Sequence, residues 1–470
     1  CWVLIILGEL AGETISSTDT RITSADSPFS QFNLTPQGII MPDASTVAFD
    51  HSPAELKKAW IITLTSGLFF FYEFIQLTMF NTLTPHLMQE FGISASETGI
   101  ISSYYFWAEI TLLFIAGIII DRVSTRKLIL FFMTVCVTST LVFAWSSTVA
   151  IATACRFAEG LGAAFCFMCS LQLASDWLPP RHMALASGLL VTMAMMGGVV
   201  SQAPLENLIE YLGSWRNAMF VNGGFGILFI IVIAAIVKDK QSNKQASTID
   251  YKHEGNLILL ALRNPQNWLA GLYTCLINIP IFIFGALFGI LYLTQVHHLS
   301  TVDAATVSSM VFWGTVFGSP FYGWLSDCIG KRRKPMIIGA LLSIANIMAI
   351  MYWPTPGYYT LVALFFLLGL ITSCQIITYP LVAESNSHKI TGTSLGVAST
   401  LIMSGGAIFQ PLFGKMLEMH WDGKVVDGVS VYSASDYHLA LMIFPVIFIV
   451  SVLASLMIKE TNCRHCDETN

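Results

Sequence analysis

The sequence has very little charge. Only 11% of its 470 residues are Asp, Glu, Lys or Arg, whereas 54% are hydrophobic. A soluble domain carries roughly 25% charged residues, so this chain cannot cover a globular surface with polar groups. The scarce basic residues form no stripe, which argues against a nucleic-acid partner. Much of the surface must therefore face lipid.

Catalytic and nucleotide-binding signatures are also missing. The sequence contains no P-loop, no HExxH and no GxSxG pattern. Most of the cysteines lie in apolar stretches and are interpreted as small hydrophobic residues. The pair Cys463 and Cys466 is interpreted as an incidental feature of the tail, since zinc usually takes four ligands. We expect no enzyme activity, no cofactor and no metal site.

Long apolar runs dominate what is present, and they predict an all-α integral membrane protein. A spanning helix needs about 20 apolar residues. Twelve runs qualify: 60–86, 96–120, 128–147, 149–174, 183–204, 217–237, 267–295, 304–326, 336–353, 357–382, 391–416 and 437–458. We expect them to form two pseudo-symmetric six-helix bundles.

The polar segments between these runs set the predicted domain boundaries. We expect an N-terminal bundle at 57–237, a cytoplasmic linker at 238–266, a C-terminal bundle at 267–459 and a cytoplasmic tail at 460–470. Residues 1–56 are predicted to be a disordered leader. Because residues 1–40 contain no methionine, our hypothesis is that they are not native and that Met41 is the biological start.

The distribution of basic residues predicts the orientation. If both termini are cytoplasmic, most of the 23 Lys and Arg residues fall on the cytoplasmic side, as the positive-inside rule requires. The same asymmetry supports the number of spans.

The two predicted bundles share an internal repeat. In the fifth and eleventh runs, six identical residues recur at one constant separation. They are Gly188, Thr192, Met195, Gly197, Gly198 and Gln202, and then Gly396, Thr400, Met403, Gly405, Gly406 and Gln410. Parallel duplication of a six-helix unit is a known transporter architecture.

A loop motif also recurs, after the second and the eighth runs. The first copy contains Gly117, Asp121, Arg122 and Arg126, and the second contains Gly323, Asp327, Gly330, Lys331 and Arg332. The motif resembles the signature loop of the major facilitator superfamily, although Ser124 and Thr125 depart from it in the first copy. A glycine allows two helices to approach closely, and an Asp at a helix end can pair with basic residues. We expect the two loops to act as a gating latch; the alternative is an ordinary pair of basic loops.

The fourth run contains a second signature, Arg156-Phe-Ala-Glu159-Gly160-Leu-Gly162, which resembles the Arg-x-x-x-Gly-x-Gly pattern of the same superfamily. An arginine inside the membrane is costly unless it has a partner or is hydrated. Arg156 is predicted either to couple protons or to hold a substrate carboxylate. The alternative is a structural pair with Glu159, one helical turn away.

Two acidic residues lie near the predicted middle of the membrane. Glu73 lies near the centre of the first run and shares a helix face with Gln76, and Glu109 lies at similar depth in the second run. A buried carboxyl can take up and release a proton near neutral pH. We therefore predict Glu73, Glu109 and Arg156 as the proton-coupling residues. The alternative for each acid is a neutral carboxyl hydrogen-bonded between helices.

Polar residues in the helices that line the cavity of such folds are candidates for substrate contact. We predict Tyr72, Gln76, Arg156, Asn278, Gln375 and Tyr379. Each polar residue of the second half is as readily a contact between helices. Pro280 and Pro380 are expected to bend their helices.

The resemblance to the superfamily covers about 60–459 and implies secondary active transport by alternating access. We expect proton-coupled import of a small polar solute across a bacterial inner membrane, by a monomer whose partners are the solute, protons and lipid. Acids beside an arginine favour a zwitterion such as an amino acid. The segment from Tyr72 to Gln76 with Asn81 also resembles the phagosomal amino-acid transporters of intracellular bacteria. The alternatives are an organic-acid or sugar-acid transporter, and a transporter-like receptor without net transport.

Overall fold

A computed structural model describes residues 53–179, 182–240, 258–387 and 390–464. Most of the predicted leader, the centre of the predicted linker and the end of the tail lie outside these residues. The first helix begins at Pro53, within the last four residues of the predicted leader.

The described part of the first half, up to residue 240, is helical. Its helices are α1 (Pro53–Thr78), α2 (Phe80–Phe91), α3 (Ala95–Arg122), α4 (Thr125–Trp145), α5 (Val149–Trp177), α6 (Met183–Val200), α7 (Ala203–Leu212) and α8 (Trp215–Ile236). Several starts follow from N-capping side chains, as where Ser94 and Glu97 form a capping box.

The second half, from residue 258, repeats this plan and adds a short hairpin. Its helices are α9 (Pro265–Pro280), α10 (Gly289–His297), α11 (Thr301–Ile329), α12 (Arg333–Tyr352), α13 (Tyr358–Thr372), α14 (Thr378–Glu384), α15 (Thr391–Glu418), α16 (Ala434–Leu441) and α17 (Ile443–Met457). The antiparallel hairpin of β1 (Val425–Val426) and β2 (Val429–Ser430) lies between α15 and α16.

Helix length and composition confirm an all-α membrane protein. Ten helical segments of the described chain are long and apolar enough to cross a membrane. The predicted spans 96–120 and 304–326 are not among them. They lie in α3 and α11, which have 28 and 29 residues and are therefore long enough at about 1.5 Å per residue. For these two helices, membrane crossing stays a prediction.

The first helices of the two halves are broken, which the hydropathy pattern did not predict. The first predicted span is interrupted at Met79, between α1 and α2. In the seventh, α9 ends at Pro280 and is followed by a π-helical segment, Ile281–Gly285, before α10 begins. The tenth is also irregular, with a 3₁₀ segment at Ser373–Ile377 just before Pro380. Local changes of helix type therefore occur next to both prolines, while the bends themselves stay a prediction.

Helices of the two halves pack directly on each other. α3 packs along α15, and α6 packs along α11. Glycines allow the first contact, since a Cβ added to Gly99 would lie 2.7 Å from the backbone oxygen of Gln410.

Candidate functional site

A buried polar cluster lies between α1, α3, α4 and α5. It contains Tyr72, Glu73, Gln76, Tyr105, Thr140, Arg156 and Glu159, each at most 2% exposed. The predicted first-half residues Tyr72, Glu73, Gln76 and Arg156 therefore do come together. Glu159, Tyr105 and Thr140 complete the cluster.

Arg156 is the only cation in the cluster and makes a complete ion pair. Its Nη1 lies 2.8 Å from Oε2 of Glu159, and neither side chain is exposed. The guanidinium also lies between two aromatic rings, 4.2 Å from the centre of Phe80 and 4.8 Å from that of Tyr105. Its Nε and Nη2 are buried without a hydrogen-bond partner. Arg156 therefore pairs with Glu159 while its Nε and Nη2 remain available as hydrogen-bond donors.

The same guanidinium explains the break in the first helix. Nη1 of Arg156 donates to the backbone oxygen of Gln76 at 2.7 Å. In a continuous α-helix, that oxygen would accept the N–H group four residues later, at Phe80. The break at Met79 falls within this turn, so Arg156 of α5 holds the bend of the first span.

Glu73 occupies a space provided by Gly162. A Cβ on Gly162 would lie 2.5 Å from Oε1 of Glu73, so a larger residue in α5 would displace the carboxyl. Oε2 accepts a hydrogen bond from the hydroxyl of Tyr105 at 3.2 Å. Oε1 is buried without a partner. The second glycine of the Arg-x-x-x-Gly-x-Gly pattern, in α5, therefore leaves room for the carboxyl of an acid in α1.

Thr140 connects the members of the cluster. Its hydroxyl accepts from the hydroxyl of Tyr72 at 3.3 Å and lies 3.2 Å from Oε1 of Gln76 and 3.5 Å from Oε1 of Glu159. Nothing in its sequence context singled it out. A change at Glu159 can therefore reach α1 through Thr140 as well as through Arg156.

Glu109 lies apart, toward the second half. Its side chain is 7% exposed, and its Oε2 is buried without a partner. The Tyr379 side chain of α14 is 37% exposed yet lies close enough to Glu109 for an electrostatic interaction. Glu109 therefore lies within electrostatic range of a residue of the second half.

Within the described residues, the other two residues predicted for substrate contact in the second half, Asn278 and Gln375, are not joined to the cluster by hydrogen bonds. Asn278 is buried one turn before the π-helical segment, and Gln375 is half-buried in the 3₁₀ segment. Among the hydrogen bonds of the described residues, we find none that joins either side chain to the cluster around Arg156.

A second polar site, which the sequence analysis missed, joins the two broken helices. The amide of Asn81 donates to the backbone oxygen of Phe284 at 3.0 Å and to Oγ of Ser308 at 2.7 Å. Its Oδ1 accepts from the N–H group of Ile290 at 3.1 Å. Asn81 follows the break at Met79, and Phe284 lies in the π-helical segment. We call this site the Asn81 bridge.

The repeated glutamines bind the same π-helical segment. Nε2 of Gln202 donates to the backbone oxygen of Gly285 at 3.1 Å, and Nε2 of Gln410 donates to that of Phe282 at 2.9 Å. A π-segment leaves carbonyl groups without regular helical partners, so buried amides satisfy them. The repeat in the sequence was the available signal, and its function is visible only in the fold.

The second copy of the loop motif forms an ion-pair network within its own half. Arg332 contacts Asp327 and, at the end of α14, Glu384, each at 2.6 Å. Burial opposes its charge, but hydrogen bonds to Glu384 and Asp327 raise the pKa of Arg332 above its usual value. Gly330 ends α11 with a φ of +66°, and the N–H group of Lys331 bonds the oxygen of Ser326.

The first copy of the motif binds the end of α8. The N–H group of Arg126 donates to Oδ1 of Asp239 at 3.0 Å, and its Nη2 donates to the oxygen of Ala234 at 2.6 Å. The side-chain environments of Gly117, Asp121 and Arg122 lie outside the described structure. A latch between the halves stays a prediction.

For one glycine of the loop motif, the predicted reason, a close approach of two helices, is wrong. A Cβ on Gly323 would meet no atom within 4 Å, so this glycine does not bring two helices together. Within the described ranges, no group of three His, Cys, Asp or Glu side chains is placed to hold a metal ion.

Comparisons with known proteins agree with this architecture. The model of the Major Facilitator Superfamily matches residues 66–409 and 271–462. The chain is 21% identical to the "probable sulfoacetate transporter" of Cupriavidus necator over 426 residues, which covers 86% of the chain and 94% of the relative. It is 25% identical to the "probable hexose phosphate transport protein" of Chlamydia muridarum over 409 residues, 78% of the chain and 88% of the relative.

A solved structure shares the fold. A bacterial homologue of the human lysosomal transporter Spinster, in an inward-facing and unoccupied conformation, superposes with a TM-score of 0.71. The match covers 86% of this chain and 98% of that chain at 16% identity.

Proposed function

This chain belongs to the major facilitator superfamily, and on that premise we propose that it imports a small organic anion together with protons by alternating access. The transporter resides in a bacterial inner membrane with both termini in the cytoplasm. The observation that carries the proposal is the buried pair of Arg156 and Glu159, whose guanidinium keeps two donors without partners. An anionic group is the natural acceptor for those donors.

The names of the relatives support an anion over the amino acid that the sequence favoured. Sulfoacetate and hexose phosphate both carry an acidic group that a guanidinium binds. One observation keeps a zwitterion as the second candidate. Glu73, Glu109 and Arg156 all lie within electrostatic range of Tyr105, so that both signs of charge are available to a bound amino acid.

The geometry suggests how solute and protons are coupled. Arg156 connects the carboxylate of Glu159 to the backbone oxygen of Gln76, at the bend of the first span. A solute anion that competes for Arg156 weakens this connection, so the bend relaxes. The bend is followed directly by Asn81, which holds the two halves together. Glu73, which has no cation partner of its own, carries the proton in this scheme.

Alternation requires that this site be closed in one state and open in another. Arg156 is fully buried here, so the solute reaches it only after the helices move. The Asn81 bridge joins the halves at their predicted outer end. A second bond joins them there, from the N–H group of Ser96 to Glu418 at 2.8 Å. These bonds are the contacts that an outward-open state must break.

The test is uptake by purified protein in liposomes with an imposed inward proton gradient. The solute panel contains a sulfonated acid, a sugar phosphate, a sugar acid and pooled amino acids. We expect an organic anion to be concentrated against its gradient, and this concentration to be lost in Glu73→Gln while exchange persists. Glu210→Gln, the same change at an exposed position of α7, is the control and should concentrate solute normally.

The other outcomes decide against parts of the proposal. Concentration of amino acids alone would replace the anion by the zwitterion. Binding without flux would identify a receptor. Gradient-driven concentration by Glu73→Gln would remove Glu73 from the coupling mechanism.

A further inference from the structure

A basic groove lies at one end of the first half, between α1 and α8. Its cavity of ≈ 350 Å³ is lined by Ala54, Lys57, Lys58, Ile61, Ile62, Ala235, Ile236 and Lys238. These residues belong to the first turns of α1 and to the last turn of α8 and the residues that follow it. None of the residues that line the groove belongs to the cluster around Arg156, and the transport scheme does not use the groove.

The lysines are positioned by neighbouring groups. The Nζ atom of Lys58 lies 5.0 Å from the centre of the Trp177 ring, and Nε1 of Trp177 donates to the backbone oxygen of Lys238 at 3.0 Å. The acids next to these residues in the described sequence include Asp239, Asp176 and Glu55. Asp239 is engaged by the N–H group of Arg126 and the hydroxyl of Ser124, while Glu55 lies on the first turn of α1 beside Lys57. The residues that line the groove themselves include three lysines and no acid.

The rest of the wall is apolar and open to the surroundings. Ile61 is 46% exposed and Ile236 is 37% exposed, and each belongs to a helix apolar enough to span the membrane. The lysines lie where these helices leave their apolar segments. A fitting ligand thus has an anionic group at the membrane surface and a hydrocarbon part along the isoleucines.

We propose that this groove binds the headgroup of an anionic phospholipid. Basic pockets between spanning helices at the membrane surface have this chemistry. The acyl chains lie against Ile61 and Ile236, and the phosphate lies among Lys57, Lys58 and Lys238. Bound lipid connects the start of the first span to the end of the sixth.

Native mass spectrometry of the full chain in mild detergent tests the proposal. Phosphatidylglycerol and phosphatidylcholine with identical acyl chains are titrated separately. We expect preferential adducts with phosphatidylglycerol, and about 100-fold weaker binding when Lys57, Lys58 and Lys238 are all changed to Gln, which is about 1 kcal/mol for each lysine. The corresponding triple change to Arg should retain the adducts, which separates loss of charge from loss of fold.

The control removes three lysines elsewhere, by Lys127→Gln, Lys334→Gln and Lys459→Gln, and should bind phosphatidylglycerol normally. Equal loss in the control would overturn the proposal, because net charge alone would then explain binding. Equal adducts with phosphatidylcholine would do the same. Displacement of the lipid by millimolar glycerol phosphate or inorganic phosphate would show that the groove is a site for free phosphate.

Discussion

Gly162 shows how one missing side chain positions a buried acid. Its Cβ position lies 2.5 Å from Oε1 of Glu73, so Gly162→Ala forces the carboxyl out of its place. Overpacking of this kind costs about 1–3 kcal/mol. We expect a lower unfolding temperature in detergent and a loss of gradient-driven uptake. Gly224→Ala, where nothing lies within 4 Å, is the control and should be neutral or slightly stabilising; equal stability of the two variants would refute the packing argument.

The pair of Arg156 and Glu159 predicts that removing one partner lowers the stability of the protein more than removing the other does. Leaving one buried charge without its partner costs about 3–5 kcal/mol. A guanidinium cannot lose its proton in a protein, whereas a carboxyl can gain one. We therefore expect Glu159→Gln to destabilise the protein more than Arg156→Met does. The double variant should recover part of the loss, as a double-mutant cycle of unfolding free energies would measure; simple additivity would show that the pair is not coupled.

At the scale of elements, the sequence predicted helices well and their interruptions poorly. Irregular helix next to Pro280 and Pro380 was predictable, because a proline removes a helical donor within its own segment. The break at Met79 was not, because its cause is Arg156, which belongs to another helix. The roles of Asn81 and Gln202 as contacts between the halves were missed for the same reason. Their partners lie in the other half of the chain, and no local pattern shows that pairing.

The Asn81 bridge predicts that one side chain protects the π-helical segment from opening. Asn81→Ala leaves the N–H group of Ile290 and the oxygen of Phe284 without this partner, at a cost of about 1–3 kcal/mol. We expect faster hydrogen–deuterium exchange in peptides that cover residues 281–293. Thr84→Ala is the matched control, because its hydroxyl bonds only within α2, to the oxygen of Phe80. Unchanged exchange in the Asn81 variant would mean that the bridge does not hold the halves closed.

At the scale of the whole molecule, the contact between α3 and α15 determines how closely the predicted outer ends of the halves can approach. A Cβ on Gly414 of α15 would lie 2.5 Å from the backbone oxygen of Ala95, at the start of α3. Backbone cannot move away as a flexible side chain does, so Gly414→Val separates these two helix ends. The same separation breaks the bonds from the N–H groups of Ala95 and Ser96 to Tyr432 and Glu418.

Alternating access then predicts opposite changes at the two faces of the protein. In Gly414→Val, hydrogen–deuterium exchange should rise in the segment 92–99 and in the hairpin at 424–432, and should fall at the loops around Arg126 and Arg332. Solute exchange across liposomes should be lost, since the closed outer state is required in each cycle. Gly224→Val places the same side chain at an open position of α8 and should leave both faces unchanged. If exchange rose at both faces of the Gly414 variant, general unfolding would explain the result and the two faces would not be coupled.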